Sequence, residues 1–183
     1  MPSQRPKVDL AQVEIRPYGS QQTVVNRFDC GVKSINAFLK NKANKSGKRM
    51  EHRVFCAHLP PSNVCIGYYA LQLGSDSVEA FKGKDKTYLG KNYTAFPAVH
   101  LSFVGVDEPY QRRGLGQHLL MDVFERVAAI SDHAGFYALT LQSFNEDSTA
   151  FYRSLNFVEY SEGLRQPKML YPLEDILTLV RGR

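Results

Sequence analysis

Several features that would place a protein in a special class are missing from this sequence of 183 residues. No apolar run approaches the roughly 20 residues that a membrane-spanning helix needs, and the polar first residues lack the apolar core of a secretion signal. Three cysteines, an odd number, argue against a disulfide framework and favour a reducing compartment. Neither internal repeats nor a linker is visible. We therefore expect one cytoplasmic domain over residues 1–183, with residues 1–10 as a loose tail and no membrane association.

The charged residues are distributed unevenly. There are 23 Lys and Arg residues against 18 Asp and Glu residues, a net charge of +5 that favours an anionic partner without identifying it. Six basic residues set against the single acid Glu51 concentrate this charge in a short stretch, namely Lys40, Lys42, Lys45, Lys48, Arg49 and Arg53. Such a run is either a solvated helix face or a surface for nucleic-acid phosphates. Because no aromatic residues interleave with it, sequence-specific reading of RNA bases is not indicated.

Hydrophobic periodicity predicts a mixed chain of strands and helices. Strands are expected at residues 13–16, 52–59, 64–73, 98–106, 136–141, 157–160 and 168–171, and helices at residues 34–43, 117–130, 145–155 and 174–180. Either Asp29 or Ser34 is expected to cap the first helix. This order predicts an α/β protein with a mixed sheet. The spacing of Cys56, His58 and Cys65 matches no zinc pattern, so no metal is expected.

A basic, glycine-containing turn lies between the buried strand and the longest helix. Its sequence is Gln111-Arg112-Arg113-Gly114-Leu115-Gly116. Glycines let a backbone curl closely around a ligand, helix-start N–H groups attract anions, and arginines bind phosphate oxygens. A Walker loop is excluded because no Gly-Lys-Ser/Thr follows, and the dinucleotide fingerprint Gly-x-Gly-x-x-Gly is absent. By itself the hexapeptide is either an anion-binding loop or a plain turn that starts a helix.

The pattern Gln/Arg-x-x-Gly-x-Gly after a strand resembles the acyl-CoA pyrophosphate loop of the GNAT N-acetyltransferases. Just before it, Val104-Gly105-Val106 occupies the place where the strand of that family splays, so that its backbone pairs with pantetheine and the thioester carbonyl. Asn145 follows the next strand, where the family often uses Asn to hold pantetheine. The segment Phe151–Phe157 resembles the family's Phe-Tyr-x-x-x-Gly-Phe, in which the Tyr is the general acid. Asn156 replaces the Gly, and Asn tolerates positive φ comparatively well.

The resemblance implies a GNAT fold, with a mixed, mostly antiparallel central sheet flanked by helices and a splayed strand at the acyl-CoA site. It implies an N-acetyltransferase that uses acetyl-CoA and no metal, with Tyr152 as the catalytic acid. The residues expected to bind acetyl-CoA are Val104, Gly105, Val106, Gln111, Arg112, Arg113, Gly114, Leu115, Gly116, Asn145 and Tyr152.

Further segments are similar to one branch of that family, the toxins of toxin–antitoxin pairs that acetylate aminoacyl-tRNA. They are Phe28-Asp29-Cys30-Gly31, Ile35-Asn36-x-Phe38-Leu39, Gly67-Tyr68-Tyr69-Ala70-Leu71 and Met169–Leu173. This similarity implies an aminoacyl-tRNA acceptor contacted by Lys40, Lys45, Lys48 and Arg49, an antitoxin partner and a homodimer. One departure is clear: Leu101–Val106 lacks the arginine that this branch often carries, so no role of that arginine is inherited.

The pKa of the acceptor amine helps to decide which class of amine this site can acetylate. A lysine amine has a pKa of about 10.4, so its deprotonation near pH 7.4 costs about 4 kcal/mol, whereas an α-amine with a pKa of about 7.7–8.0 is largely neutral already. The stretch Phe96–Val106 contains no carboxylate, which suits an α-amine; His100, Asp107, Glu79 or a water chain remain as candidate bases. Acetylation of a protein or small-molecule amine, and a non-catalytic acyl-CoA-binding module, stay open as alternatives.

Overall fold

The structure, a computed structural model, describes residues 8–19, 22–77, 94–161 and 165–182. Seven strands are present: β1 (Glu14–Pro17), β2 (Arg53–His58), β3 (Gly67–Ser77), β4 (Ala95–Val106), β5 (Ala138–Gln142), β6 (Val158–Glu159) and β7 (Lys168–Pro172). They form one sheet in the order β1-β2-β3-β4-β5-β7-β6. The helices are α1 (Lys33–Ala37), α2 (Ala43–Lys48), α3 (Leu115–Ser131), α4 (Glu146–Ser154) and α5 (Leu173–Arg181). The predicted α/β class with a mixed, mostly antiparallel sheet is confirmed.

The first helical segment departs from its prediction in length and in its cap. It begins at Lys33 and continues beyond Ala43, because a π-helical turn, Phe38–Lys42, joins α1 to α2. Its N-cap is Val32, which has no capping side chain. The prediction that Asp29 or Ser34 caps this helix is therefore wrong. The carboxylate of Asp29 instead accepts hydrogen bonds from the N–H of Gly31 at 2.9 Å and from Nδ2 of Asn36 at 2.6 Å.

The described residues divide into two compact units. The first unit draws on Met1–Gln72 and Phe103–Val123, and the second on Leu73–Ser102 and Phe124–Arg183. Strands β3 and β4 and helix α3 each contribute to both. A single domain over residues 1–183 stays a prediction.

In the first unit, the antiparallel strands β1, β2 and β3 meet a core dominated by aromatic rings. Phe38 stacks on Phe103 with ring centroids 3.9 Å apart, and Phe28 meets Tyr68 edge-on at 5.4 Å. The buried hydroxyl of Tyr68 donates to the carbonyl of Ile35 at 2.7 Å. The ring burial stabilises the packing of α1 against the sheet.

The end of β4 is packed so closely in the first unit that only glycine fits. A Cβ on Gly105 would lie 2.9 Å from Cγ2 of Ile35, 3.3 Å from Cζ of Phe28 and 3.4 Å from Sγ of Cys30. The segment that contains Phe28 and Ile35 therefore lies directly on the backbone of β4.

The second unit is centred on β5. Residues Ala98–His100 of β4 pair with Ala138–Thr140 in parallel, and β7 pairs with β5 in antiparallel fashion from Ala138↔Pro172 to Gln142↔Lys168. Phe124 of α3 contacts Tyr171 with centroids 4.8 Å apart, and Tyr171 meets Phe157 at 5.2 Å. Along α3 the apolar side chains recur with helical periodicity, and those of Leu119, Leu120, Val123, Phe124 and Val127 are buried, whereas Ile130 is half-buried.

A search of the helices in the described ranges finds none with the length and apolar character that crossing a membrane requires.

The close packing at Gly105 gives a stability prediction. Gly105→Ala should lower the free energy of unfolding by about 1–3 kcal/mol, because the new methyl group overlaps Cγ2 of the β-branched Ile35 and lies tightly against Phe28. Gly47→Ala is the matched control: an added Cβ meets no atom within 4 Å there, and alanine favours the helix by up to about 1 kcal/mol. Urea unfolding monitored by circular dichroism would measure both. Equal stability of Gly105→Ala and the wild type would contradict this packing.

Candidate functional site

The turn that follows β4 adopts a backbone suited to binding an anion. A short 3-10 turn, Glu108–Tyr110, leads to Gln111, and Arg112 and Gly114 then have φ angles of 59° and 82°. These left-handed conformations are costly for Arg112 and easy for Gly114. Backbone turns of this kind point successive N–H groups into one concavity. The side chain of Arg112 is exposed to solvent at this turn.

Helix α3 begins directly behind this turn. The N–H of His118 donates to the carbonyl of Gly114 at 2.9 Å, the first bond of the helix, and the preceding N–H groups of a helix have no partner within it. Leu115, Leu119 and Leu120 are almost completely buried and hold the helix start against the core. The helix dipole adds partial positive charge at this end. The loop can therefore hold phosphate groups with backbone N–H groups and two arginines.

Gln111 holds the end of β4 from the side. Its Nε2 donates to the carbonyl of Val106 at 2.8 Å and to the carbonyl of Cys30 at 3.1 Å. Asp107 accepts a hydrogen bond from the N–H of Asp29 at 2.7 Å, and burial, the largest effect, raises the pKa of Asp107. The segment Phe28–Gly31 is thus fastened to the residues just before the basic loop.

Helix α4 in the second unit carries the predicted catalytic residue. Asn145 caps this helix by accepting from the N–H of Ser148 at 2.8 Å, and Tyr152 lies one turn before its end. Tyr152 is 5% exposed and packs with centroid distances of 5.4 Å to both Phe151 and Phe157. Burial raises the pKa of Tyr152 above the ordinary phenol value. Its hydroxyl is therefore protonated at neutral pH, as a proton donor must be.

The turn after α4 confirms the reasoning about Asn156. This residue has a φ of 67°, and the N–H of Phe157 donates to the carbonyl of Tyr152 at 3.1 Å. Asparagine thus takes the left-handed position in which the resembled motif has glycine.

A cavity of about 340 Å³ lies in the second unit, where the paired part of β4 and β5 ends. Polar side chains from five strands or strand ends line it, among them Asp76, His100, Thr140, Gln142, Tyr160 and Lys168. The hydroxyl of Tyr160 donates to Asp76, and Nζ of Lys168 donates to the same carboxylate at 2.8 Å. His100 is hydrogen-bonded through Nδ1 to Thr140. The sequence analysis did not identify Asp76, Tyr160 and Lys168 as neighbours, because they are far apart along the chain and belong to no common motif.

The charges in this cavity are balanced. Burial alone would raise the pKa of Asp76, but hydrogen bonds from Lys168 and Tyr160 outweigh it and hold the pKa below its usual value. Burial lowers the pKa of His100, with Lys168 acting in the same direction and Asp76 opposing it. At neutral pH the cavity therefore contains a paired carboxylate and ammonium beside a neutral imidazole.

The basic stretch forms an exposed face on the first helical segment. Lys40 and Lys42 lie on the π-helical turn and Lys45 and Lys48 on α2, all exposed, while the Phe38, Leu39, Ala43 and Ser46 side of the same turns is buried. Arg49 follows and approaches Glu51 at 3.7 Å in an exposed ion pair, which contributes little to stability. The predicted basic residues of this segment are thus all exposed, whereas Arg53 lies on β2.

The remaining candidates have structural partners or fall outside the described ranges. Cys56 and Cys65 are buried thiols, and Nδ1 of His58 is hydrogen-bonded to the carbonyl of Val64. Within the residues that the structure describes, no three His, Cys, Asp or Glu side chains are grouped to hold a metal. Glu79, one candidate base, lies outside those residues.

Comparisons with known proteins agree with this arrangement. Residues 34–157 match the acetyltransferase (GNAT) family. The chain is 30% identical over 160 residues to a probable toxin TacT of Sinorhizobium fredii, covering 85% of each chain. It is 28% identical over 133 residues to a tRNA-acetylating toxin of Mycobacterium tuberculosis, covering 73% of this chain and 77% of the relative.

Two solved structures show the same fold. A tyrosine-to-phenylalanine mutant of KacT superposes with a TM-score of 0.84 at 24% identity, covering 92% of this chain and 99% of that chain. AtaT complexed with acetyl-methionyl-tRNAfMet superposes with a TM-score of 0.81 at 24% identity, covering 91% and 98%.

The cavity network predicts a pH-dependent stability. Because the folded state lowers the pKa of Asp76, its contribution is present above the unfolded pKa of about 3.9 and is lost as the pH falls through the folded value. Asp76→Asn should therefore cost about 1 kcal/mol at pH 7, a figure reduced because the Lys168 side chain is 35% exposed. The cost should be smaller at pH 3, below the unfolded pKa, than at pH 7. Urea titrations at both pH values would measure it.

Asp132→Asn is the control for this prediction. It removes the pair with Arg181, whose side chains are 56% and 50% exposed, so little change is expected at either pH. A cost of Asp76→Asn that stays the same at pH 3 would show that the lost interaction does not depend on the charge of Asp76.

Proposed function

Since the chain belongs to the GNAT family of acetyltransferases, we propose that it transfers the acetyl group of acetyl-CoA to the α-amino group of an aminoacyl-tRNA. The observation that carries this proposal is the left-handed basic turn at Arg112 and Gly114, which leads into the buried start of α3. The names of similar proteins support the acceptor: one is a tRNA-acetylating toxin, and AtaT has been solved with acetyl-methionyl-tRNAfMet.

Acetyl-CoA is the donor, and the basic loop is its pyrophosphate site in this proposal. The backbone N–H groups from Arg112 to Gly116, with Leu115 and Gly114 between them, receive the phosphates, and Arg112 and Arg113 neutralise their charge. The backbone of Val104, Gly105 and Val106 pairs with pantetheine and the thioester. Asn145, whose oxygen caps α4, offers its amide nitrogen to pantetheine. AtaT has been solved with bound acetyl-CoA, which supports this assignment.

The chemical step is direct attack of the amine on the thioester. The new C–N bond forms as the C–S bond breaks, and the N–H of Val106 stabilises the negative charge that develops on the acetyl oxygen. The departing thiolate takes a proton from Tyr152, which burial keeps protonated.

The proton of the amine needs an acceptor, and we assign this role to His100. Burial lowers its pKa, so the imidazole is neutral at pH 7, and it lines the cavity of the second unit. Asp107 is instead bonded to the N–H of Asp29. Much of an α-amine is already neutral at pH 7.4, because its pKa is about 7.7–8.0. Only a weak base is then needed to remove its proton.

The product explains why this activity is toxic in the proposed role. An acetylated α-amine has lost the nucleophile that peptide-bond formation requires, so the tRNA cannot take part as an acceptor. We therefore propose that an antitoxin restrains the protein. AtaT has been solved bound to the C-terminus of its antitoxin AtaR, which supports this partner. A homodimer is proposed from the same resemblance.

The proposed reaction is tested with radiolabelled acetyl-CoA and total tRNA, in charged and deacylated samples. Label should enter the charged sample alone. Tyr152→Phe should lower the rate by about 10²–10⁴-fold because the leaving thiolate loses its proton donor, while acetyl-CoA binding measured by calorimetry stays unchanged. Tyr171→Phe is the matched control, since this ring packs on the same Phe157 and should retain its activity without the hydroxyl.

Other outcomes of this experiment would redirect the assignment. Label in neither tRNA sample would refute the tRNA acceptor and turn the search to protein and small-molecule amines. Binding of acetyl-CoA without transfer to any amine would favour a non-catalytic acyl-CoA-binding module.

The basic surface predicts a salt-dependent contact with RNA. Lys45→Glu combined with Lys48→Glu should weaken tRNA binding and lower the slope of log affinity against log salt by about 2, one for each lost phosphate contact. The pair Lys45→Arg and Lys48→Arg keeps the charge and should keep the slope. Filter binding at several salt concentrations would measure both. An unchanged slope in the glutamate variant would mean that this surface is only a solvated helix face.

A further inference from the structure

We propose that Gln111 is a positioning residue for the acetyl-transfer step, which holds the Val106 N–H in place for the thioester oxygen, and that its side chain does not bind the CoA phosphates. The inference rests on the proposed function for the identity of the donor. It assigns a separate role to one residue of the Gln-Arg-Arg-Gly-Leu-Gly loop, and all its supporting contacts lie within the first unit.

The direction of the backbone at the end of β4 is the first step. The N–H of Asp107 donates to the carbonyl of Ile66 at 2.9 Å, the residue that precedes β3. Backbone polar groups of successive residues in an extended chain point to opposite edges. The N–H and the carbonyl of Val106 therefore both point away from β3, towards the edge at which Gln111 donates to that carbonyl at 2.8 Å.

The second step is that Gln111 is held at both of its contacts. A glutamine amide nitrogen has two N–H donors, and those of Gln111 reach the carbonyls of Val106 and Cys30. The Cys30 side is rigid, because Asn36 accepts from the N–H of Cys30 at 3.0 Å and the carbonyl of Asp29 accepts from the N–H of Glu108 at 2.8 Å. Gln111 thus joins two anchored carbonyls and leaves no N–H on this nitrogen for a phosphate.

The third step concerns the charge that develops during the reaction. An unpaired carbonyl oxygen on the same residue and edge as the Val106 N–H would repel a forming oxyanion, and the Gln111 amide cancels that repulsion by donating to it. Fixed donors stabilise a transition state only when they are held in the productive geometry, and a displacement of about 1 Å costs up to about 100-fold in rate. Gln111 is therefore expected to affect the rate of transfer and not the affinity for acetyl-CoA.

Two variants of Gln111 separate these roles. Gln111→Glu has nearly the same shape but replaces both donors with a carboxylate facing two carbonyls. Gln111→Arg restores donors that can reach both carbonyls. The glutamate variant should lower kcat by about 100-fold, with the calorimetric Kd for acetyl-CoA within about threefold of the wild type. The arginine variant should recover at least about tenfold of the lost kcat.

Arg112→Gln is the contrasting variant, because it removes an exposed cation from the same loop. It should raise the Kd for acetyl-CoA, and its loss of activity at a fixed acetyl-CoA concentration should follow that loss of affinity. Circular dichroism establishes that each variant is folded. A glutamate variant that loses acetyl-CoA affinity in proportion to its activity, as Arg112→Gln does, would overturn the proposal and make Gln111 a phosphate ligand.

Hydrolysis of acetyl-CoA without any acceptor provides a second readout, since water attacks the same thioester carbonyl. If the wild type fails to label aminoacyl-tRNA but its slow hydrolysis still falls in Gln111→Glu and recovers in Gln111→Arg, the acceptor assignment fails and the role of Gln111 stands. If hydrolysis is equal in all three proteins, the positioning role is wrong whatever the acceptor.

Discussion

The end of β4 must stay extended and rigid, and in the proposed mechanism one of its edges must also remain available to acetyl-CoA. An ordinary sheet strand gains its rigidity from neighbours on both edges. At the end of β4, rigidity also comes from side chains that pack on one face of the strand and from side-chain hydrogen bonds. Phe28 and Ile35 pack on the bare backbone of Gly105, and Gln111 and Asp107 fasten the strand end to the segment Phe28–Gly31. The packing of aromatic rings in the first unit depends on the same close approach.

In the second unit, the charges of the described side chains that line the cavity balance each other. Its cavity contains a carboxylate, an ammonium and an imidazole, yet Asp76 and Lys168 neutralise each other and burial keeps His100 uncharged. Among the described residues that line the cavity, the charges therefore cancel. The exposed lysines lie instead on the helical segment of the first unit. In the proposed mechanism, a cavity without net charge would not stabilise the ammonium form of the acceptor amine.

Local sequence patterns predicted the parts of the site that depend on nearby residues. The apolar strand β4, the helix α3, the left-handed Asn156 and the placement of Tyr152 on α4 follow from residues within one or two turns of each other. The patterns did not predict the partners of Gln111 and Asp76, which lie 81, 84 and 92 residues away along the chain. The wrong cap of α1 has the same origin. Asp29 is a good capping residue by type, but tertiary contacts with Asn36 and Glu108 use its polar groups one turn earlier.

The π-helical turn Phe38–Lys42 separates two properties that a continuous α-helix would couple. In an α-helix each residue turns the next by about 100°, so the buried and exposed faces keep a fixed angular relation along the whole length. A π-turn takes up an additional residue and offsets α2 from the phase of α1. Phe38 and Leu39 are thus buried in the core, while the π-helical turn sets the direction in which the lysines that follow them point. Removing Asn41 from this turn would keep the net charge unchanged but would rotate α2 about its axis, so that Lys45 and Lys48 would point in a direction different from the present one.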